Sequence, residues 1–355
     1  MKTPYLGNQS NNFDGVRLWL ALIVFFSHLS ALTKNSEFWI FEQYAIADFA
    51  VKGFFAISGY LVTRSFLNGG GILEFFEKRI RRIYPAYLGA LLLCIMVGLT
   101  TTEMTKVDFL ASSETIRYII SNAIFLNFLQ PTLPMVFEEN PLQTMNGSLW
   151  TIKIEMMLYA CIPLIVFFFR KFSVTWVFFY ILILSVVWIY YFKNISNLPI
   201  AEELSRQFPG QLSYFSFGIF LAIKPESQKK LGIISFISIS LLIFINNPIA
   251  KLLIEPFAYS TTVLFLSRLK MKHINFGKYG DISYGIYLYH FPIIQTLIML
   301  EVFKENVYFG AFLALSLTLI VSIVSWHCIE KPFLKRTSYY VEIAQKNKKF
   351  MNLYQ

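Results

Sequence analysis

The chain has 355 residues, 56% of them apolar and only 15% charged, with a mean hydropathy of +0.54, which excludes an ordinary soluble globular domain and places the chain in lipid. Its formal charge of +10 comes from Lys and Arg in short runs between apolar segments, the pattern of a chain oriented in a bilayer and not of a nucleic-acid-binding face. Cys94, Cys161 and Cys328 all lie within apolar segments without pair or metal-ligand spacing, so no disulfide and no metal site is expected.

Apolar runs of about 20 residues, each long enough to cross ~30 Å of hydrocarbon, recur between breakers along the chain. They predict ten transmembrane helices, at 13–32, 45–66, 82–101, 148–169, 174–192, 210–223, 231–246, 249–267, 283–300 and 308–329. The expected fold is therefore all-α, a polytopic membrane helix bundle. The first run carries Arg17 and His28 and lacks a small-residue cleavage site, so it reads as a retained helix, not a signal peptide. With ten spans, most of the 31 basic residues fall on the side that holds both ends, which predicts two cytoplasmic termini. The longest outside segment, about 102–147, is expected to hold an amphipathic or re-entrant piece near 115–130. Residues 1–335 read as one membrane domain and 336–355 as a short basic cytoplasmic tail; no internal repeat is present.

Polar residues inside the spans carry the functional reading, because a charge at bilayer depth costs at least ~2.5 kcal/mol and needs a partner or a task. Arg17 and His28 are eleven residues apart, so they return to nearly the same helix face, about 16 Å apart along an axis rising ~1.5 Å per residue. His28 reads either as a general base for a hydroxyl or as a histidine satisfied by a neighbouring helix. Arg17 reads as an anion contact, an orienting partner, or a side chain snorkelling to the interface.

In the second span, GFFAISGYL puts Gly53 and Gly59 where helices approach closely, and Ser58 and Tyr60 in its cytoplasmic half. The segment EKRIRRIYP reads as a loop in which Arg79 and Arg82 share a face and Pro85 sets the entry to the third span. Its guanidiniums suit nucleotide or CoA phosphates, or else anionic lipid. In NGSLWTIKIE, Ser148 is the expected N-cap, Trp150 lies in the aromatic belt, and Glu155 enters the membrane, where a cation on another helix is its expected partner. In DISYGIYLYH, Ser283, Tyr287 and His290 form one inward stripe, with His290 placed to touch substrate or to bond another helix. His273 and His327 receive no chemical role.

Together DGVR with His28, FFAISGYL, RIRRIYP, SLWTIKIE, ISYGIYLYH and the terminal EKPF, in that order over about residues 13 to 333, resemble the acyltransferase-3 family of integral membrane acyltransferases. The resemblance implies a ten-helix bundle, acetyl-CoA or another acyl-CoA as a donor substrate reaching in from the cytoplasm, and an acceptor outside. It also implies catalytic roles for Arg17, His28 and Glu155, and donor contacts at Arg79 and Arg82, with Ser58 and Tyr60 assigned beside them. Ser148, Trp150, Tyr287 and His290 are assigned to substrate.

The resulting expectation is O-acylation, above all acetylation, of a lipopolysaccharide, capsular or other envelope glycan at the inner membrane, with acyl-CoA, the glycan and membrane lipid as partners and no nucleic acid. Succinyl transfer, or transfer to a glucan or small molecule, is the alternative within enzymes. A transporter using the same Arg, His and Glu as a substrate or proton pathway is the alternative outside them.

Overall fold

The computed structural model describes residues 12–40, 46–269 and 280–334. The tail at 336–355 and His273 lie outside the described residues. The described chain is helical, with no strand. In order it forms α1 (Phe13–Thr33), α2 (Ile46–Leu67), α3 (Gly71–Thr101), α4 (Lys106–Ala111), α5 (Ser113–Ala123), α6 (Trp150–Lys171) and α7 (Val174–Asn194). There follow α8 (Ala201–Ser205), α9 (Phe208–Ile223), α10 (Gln228–Phe244), α11 (Pro248–Ser267), α12 (Ser283–Met299), α13 (Val302–Glu305) and α14 (Val307–Ser325). A single π turn at Trp326–Glu330 closes α14.

Seven of these segments are long and apolar enough to cross a membrane: α1, α2, α3, Gly147–Lys171 including α6, α7, α11, and Val307–Phe333 including α14. The chain is thus a multi-pass membrane protein. The other three expected spans coincide with the helices α9, α10 and α12, which at 16, 17 and 17 residues are shorter than those seven.

Two expectations of local structure are corrected. The RIRRIYP segment is not a loop, since α3 starts at Gly71 and runs unbroken for 31 residues through Pro85. The break falls earlier, at Gly69, Gly70 and Gly71, whose φ values of 108°, 104° and 74° are open to glycine at no steric cost. Beyond them the charged stretch is a good helix former, and Arg81 donates to Glu77 at 2.8 Å one turn back. The cap before α6 is not Ser148. Asn146 takes that position, its Oδ1 accepting from the Ser148 amide at 3.1 Å ahead of a short 3-10 turn at Gly147–Leu149.

The chain divides into two compact units. The first comprises the described parts of Met1–Arg17, Asp48–Phe76 and Ile154–Asn275. Here Gly59 and Gly218 bring the backbones of α2 and α9 into contact: a Cβ on Gly59 would overlap the Phe215 carbonyl, and one on Gly218 the Ala56 carbonyl. Small residues at a helix crossing let dispersion act between backbones where lipid supplies no hydrophobic drive. Lys52 lies between Asp48, at 2.5 Å, and Glu255, and stands over the Tyr214 ring at 5.0 Å.

The second unit comprises the described parts of Leu18–Ala47, Glu77–Lys153 and Phe276–Gln355. The segment between α3 and α6 carries a small core of its own, in which Phe109, Tyr118, Leu133, Val136, Phe137 and Met145 pack on Cys94 of α3. The amphipathic piece expected near 115–130 is α5, with an unusual polarity. It buries Thr115, Tyr118, Ser121 and Asn122 and turns Ile116, Ile119 and Ile120 outward.

Candidate active site

The site of the second unit is built around α12. Gly280, at φ 110°, passes so close beneath Trp326 that any Cβ there would overlap the indole. The next residue, Asp281, lies just before the N-cap Ile282 and holds the start of α12 by accepting from the Ser283 amide at 3.2 Å and from the Ser283 hydroxyl. Further along, the segment between α5 and α6 is tied to the same helix at two points. Asn146 donates to the Leu288 carbonyl at 2.8 Å, and Asn140 donates to the Gln295 carbonyl at 2.9 Å. Gly147 allows this approach, since a Cβ there would meet the Phe291 ring at 2.7 Å.

Held in this way, α12 presents its stripe inward: Ser283, Tyr287 and His290 are all buried, His290 completely. His290 Nε2 lies 2.7 Å from Nδ1 of His28 on α1, and its Nδ1 lies 2.8 Å from the Ile286 carbonyl. The two imidazole planes are 12° apart with centroids separated by 5.0 Å. That separation is nearly the greatest a 2.7 Å N···N contact allows, so the rings meet edge to edge in one plane, the best geometry for an in-plane lone pair. The Phe291 ring closes on His28 edge-on at 5.3 Å. His28 is half-buried where His290 is sealed, so of the pair only His28 offers a surface to a reactant.

Two more of the expected substrate residues belong to this neighbourhood. Ser148 Oγ is 3.4 Å from His290 Nε2, and Tyr287 shares a 2.7 Å hydrogen bond with Thr151. Trp150 opens α6 and is half-buried.

Arg82 lies elsewhere in the same unit. Its guanidinium donates to Asp281 at 2.5 Å and to Glu330 at 3.0 Å, and it stands over the Trp326 ring at 5.4 Å. Both carboxylates are 1% exposed. Arg79 is half-buried, three residues before it on α3. Sequence reasoning did not assign Asp281 or Glu330, although both stand in quoted strings, DISYG and EKPF. An acid at the start of each string, beside an apolar run, was the one signal the sequence offered.

In the first unit Glu155 accepts from Ser58 Oγ at 2.9 Å and from the Tyr159 hydroxyl, one turn along its own helix. The hydroxyls are partners that the expectation of a cation did not include. Tyr60 accepts from Arg64 at 3.0 Å and stacks on Phe13 at 5.5 Å. Arg17 is half-buried in the part of α1 that belongs to this unit.

In a multi-pass helical protein, α1 and α12 thus hold a coplanar imidazole pair, the side-chain type that accepts and returns a proton near neutral pH. The profile of an acyltransferase domain matches residues 10–327, nearly the whole chain, and the chain belongs to that acyltransferase-3 family. It is 26% identical over 339 residues to an O-acetyl transferase of Shigella phage Sf6, covering 93% of this chain and 98% of that one. It is also 26% identical over 357 residues to nodulation protein 10 of Rhizobium leguminosarum bv. viciae, covering 92% and 94%. The O-acetyltransferase OatA of Staphylococcus aureus is 24% identical over 373 residues, covering 91% of this chain but 57% of its own length. No solved structure matches the chain. The protein is an O-acyltransferase.

Proposed function

We propose that the protein moves an acetyl group from acetyl-CoA to a hydroxyl of an envelope polysaccharide or lipid-linked sugar at the cytoplasmic membrane. The observation that carries this reading is the half-buried His28, hydrogen-bonded at 2.7 Å to a buried second histidine inside an apolar span. Imidazole is the side chain that takes and returns a proton near neutral pH, and acyl transfer to an alcohol needs both steps. As His28 takes the hydroxyl proton, the oxygen attacks the thioester carbonyl and the C–S bond breaks. The leaving thiolate then recovers the proton from His28 and departs as CoA.

The other residues take roles consistent with their surroundings. Arg82, already bonded to two buried carboxylates, braces the start of α12, so the donor phosphates are assigned to Arg79. Ser58 and Tyr60 are assigned to the donor side, and Arg17 and Glu155 to the polar interior of the first unit. Ser148, Trp150, Tyr287 and Thr151 are assigned to the acceptor side. All ten expected spans are proposed to cross the membrane, α9, α10 and α12 through locally thinned bilayer, with both termini cytoplasmic.

Purified protein in lipid nanodiscs, given acetyl-CoA labelled in the acetyl group and an envelope glycan extract, tests the reading. The expected products are free CoA and labelled glycan in equal amounts. Labelled glycan that never forms, with the label instead crossing the membrane of reconstituted vesicles unchanged, removes it.

A further inference from the structure

The hydrogen-bond partners of His290 point to one tautomer for each histidine of the pair. A backbone carbonyl only accepts, so the 2.8 Å contact with Ile286 places the hydrogen of His290 on Nδ1. A neutral imidazole carries one N–H, and Nε2 of His290 is therefore a lone pair. That lone pair faces Nδ1 of His28 at 2.7 Å, in the plane of both rings, so the hydrogen of His28 resides on Nδ1. What remains is a bare Nε2 on His28, on the half-buried ring of the pair.

From this chain of donors and acceptors, and resting on the reading of His28 as the base, we propose that His290 is the positioning residue of the transfer. Its Nε2 holds His28 in the tautomer that keeps the opposite nitrogen free to take the acceptor proton. The relay runs Ile286 carbonyl, His290, His28, acceptor hydroxyl. An imidazole with no such partner favours hydrogen on Nε2, which would leave the reactive edge with a donor where a base is needed.

The same contact acts during the reaction. The acceptor O–H bond breaks, its proton bonds to Nε2 of His28, and the ring becomes an imidazolium whose Nδ1–H still points at the His290 lone pair. That hydrogen bond becomes charge-assisted as the charge develops, so it is stronger in the transition state than before it. Transfer of the Nε2 proton to the thiolate sulfur of CoA restores the starting tautomer. Ser148 Oγ, 3.4 Å from the same His290 nitrogen, is a longer and secondary donor.

The chain contains four histidines, so ¹⁵N-histidine labelling in nanodiscs reads the tautomers directly, with assignment by His273→Gln and His327→Gln. The wild-type protein is expected to carry the His28 hydrogen on Nδ1. His290→Leu should move it to Nε2 and lower kcat by about 10²- to 10³-fold with KM for acetyl-CoA unchanged. His290→Gln, whose amide oxygen can accept from Nδ1, should restore the tautomer and recover at least about tenfold of the rate. With the His28 signals told from those of His290 by their persistence in His290→Leu, a wild-type His28 hydrogen on Nε2 overturns the proposal whatever the kinetics, as does a Leu variant that keeps the wild-type kcat. Wild-type protein that transfers no acetyl group defeats the proposed function instead, and the tautomer spectrum still decides the role of His290.

Discussion

Asp281 grips Arg82 with one carboxylate oxygen at 2.5 Å while the other accepts from the Ser283 amide at the start of the helix that carries His290. One acid thus links the long helix α3 to the start of α12, and the guanidinium extends the link to Glu330 in the π turn. The ion cluster lies far along α12 from His290 and acts on it through helix position.

Removing the cation from this cluster leaves two carboxylates, each 1% exposed, without their shared partner. Arg82→Ala should therefore lower stability by about 3–5 kcal/mol. Arg82→Lys should recover only part, because an ammonium cannot reproduce the planar fork that reaches both acids. Thermal unfolding in detergent checks the order wild type, Lys, Ala. A triple change to Arg82→Met, Asp281→Asn and Glu330→Gln should be more stable than Arg82→Ala alone.

The crossing of α2 and α9 depends on having no side chain at two positions. Gly218→Ala and Gly59→Ala each press a methyl onto a facing carbonyl, of Ala56 and Phe215 respectively. Each should cost about 1–3 kcal/mol, the usual penalty of overpacking. The double variant should cost less than the sum, because the first separation of the helices relieves the second. Unfolding midpoints of the three variants measure this.

Glu155 offers a separation of charge from shape. Gln at this position keeps an oxygen to accept from Ser58 and Tyr159, so Glu155→Gln should unfold within about 1 kcal/mol of wild type. Acetyl transfer should nonetheless fall by at least about 10²-fold if the carboxylate charge orders the polar interior during reaction. Melting curves and initial rates on the same preparations separate the two effects.

Asn146 holds both ends of a short tie, accepting from the Ser148 amide and donating to the Leu288 carbonyl. Asn146→Ala loses a cap and a buried hydrogen bond together, a cost of about 1–3 kcal/mol. Asn146→Asp keeps the cap but loses the donor, so its melting point should fall between the two.

Much of this fold was legible as hydropathy. The run 13–32 is observed as Phe13–Thr33, 174–192 as Val174–Asn194, and 249–267 as Pro248–Ser267, because lipid-facing helices must be apolar for their whole length. Where apolarity and helicity part company the reading fails. The stretch 77–82 within α3 is charged and still helical, since lysine, arginine and glutamate are good helix formers and the true breaker is a run of three glycines. The polar residues of the site stood out as single anomalies in apolar strings, which is why His28, Glu155 and His290 were found. Their partners were not. His28 and His290 are 262 residues apart, and the spacing along one helix says nothing about which nitrogen meets which across two. Asp281 and Glu330 were likewise hidden, because an acid beside a helix end reads as an ordinary cap or interface residue until its arginine is in place.

The most direct measurement is single-turnover acetyl transfer from labelled acetyl-CoA to envelope glycan by wild type and His28→Ala, at equal amounts of folded protein in nanodiscs. With His28 as the base, the wild type releases one CoA for each acetylated sugar, and the Ala variant binds acetyl-CoA equally well but transfers at least about 10³-fold more slowly. An Ala variant that transfers at the wild-type rate would contradict the account, because the proton would then be leaving the acceptor by a route that does not include this ring.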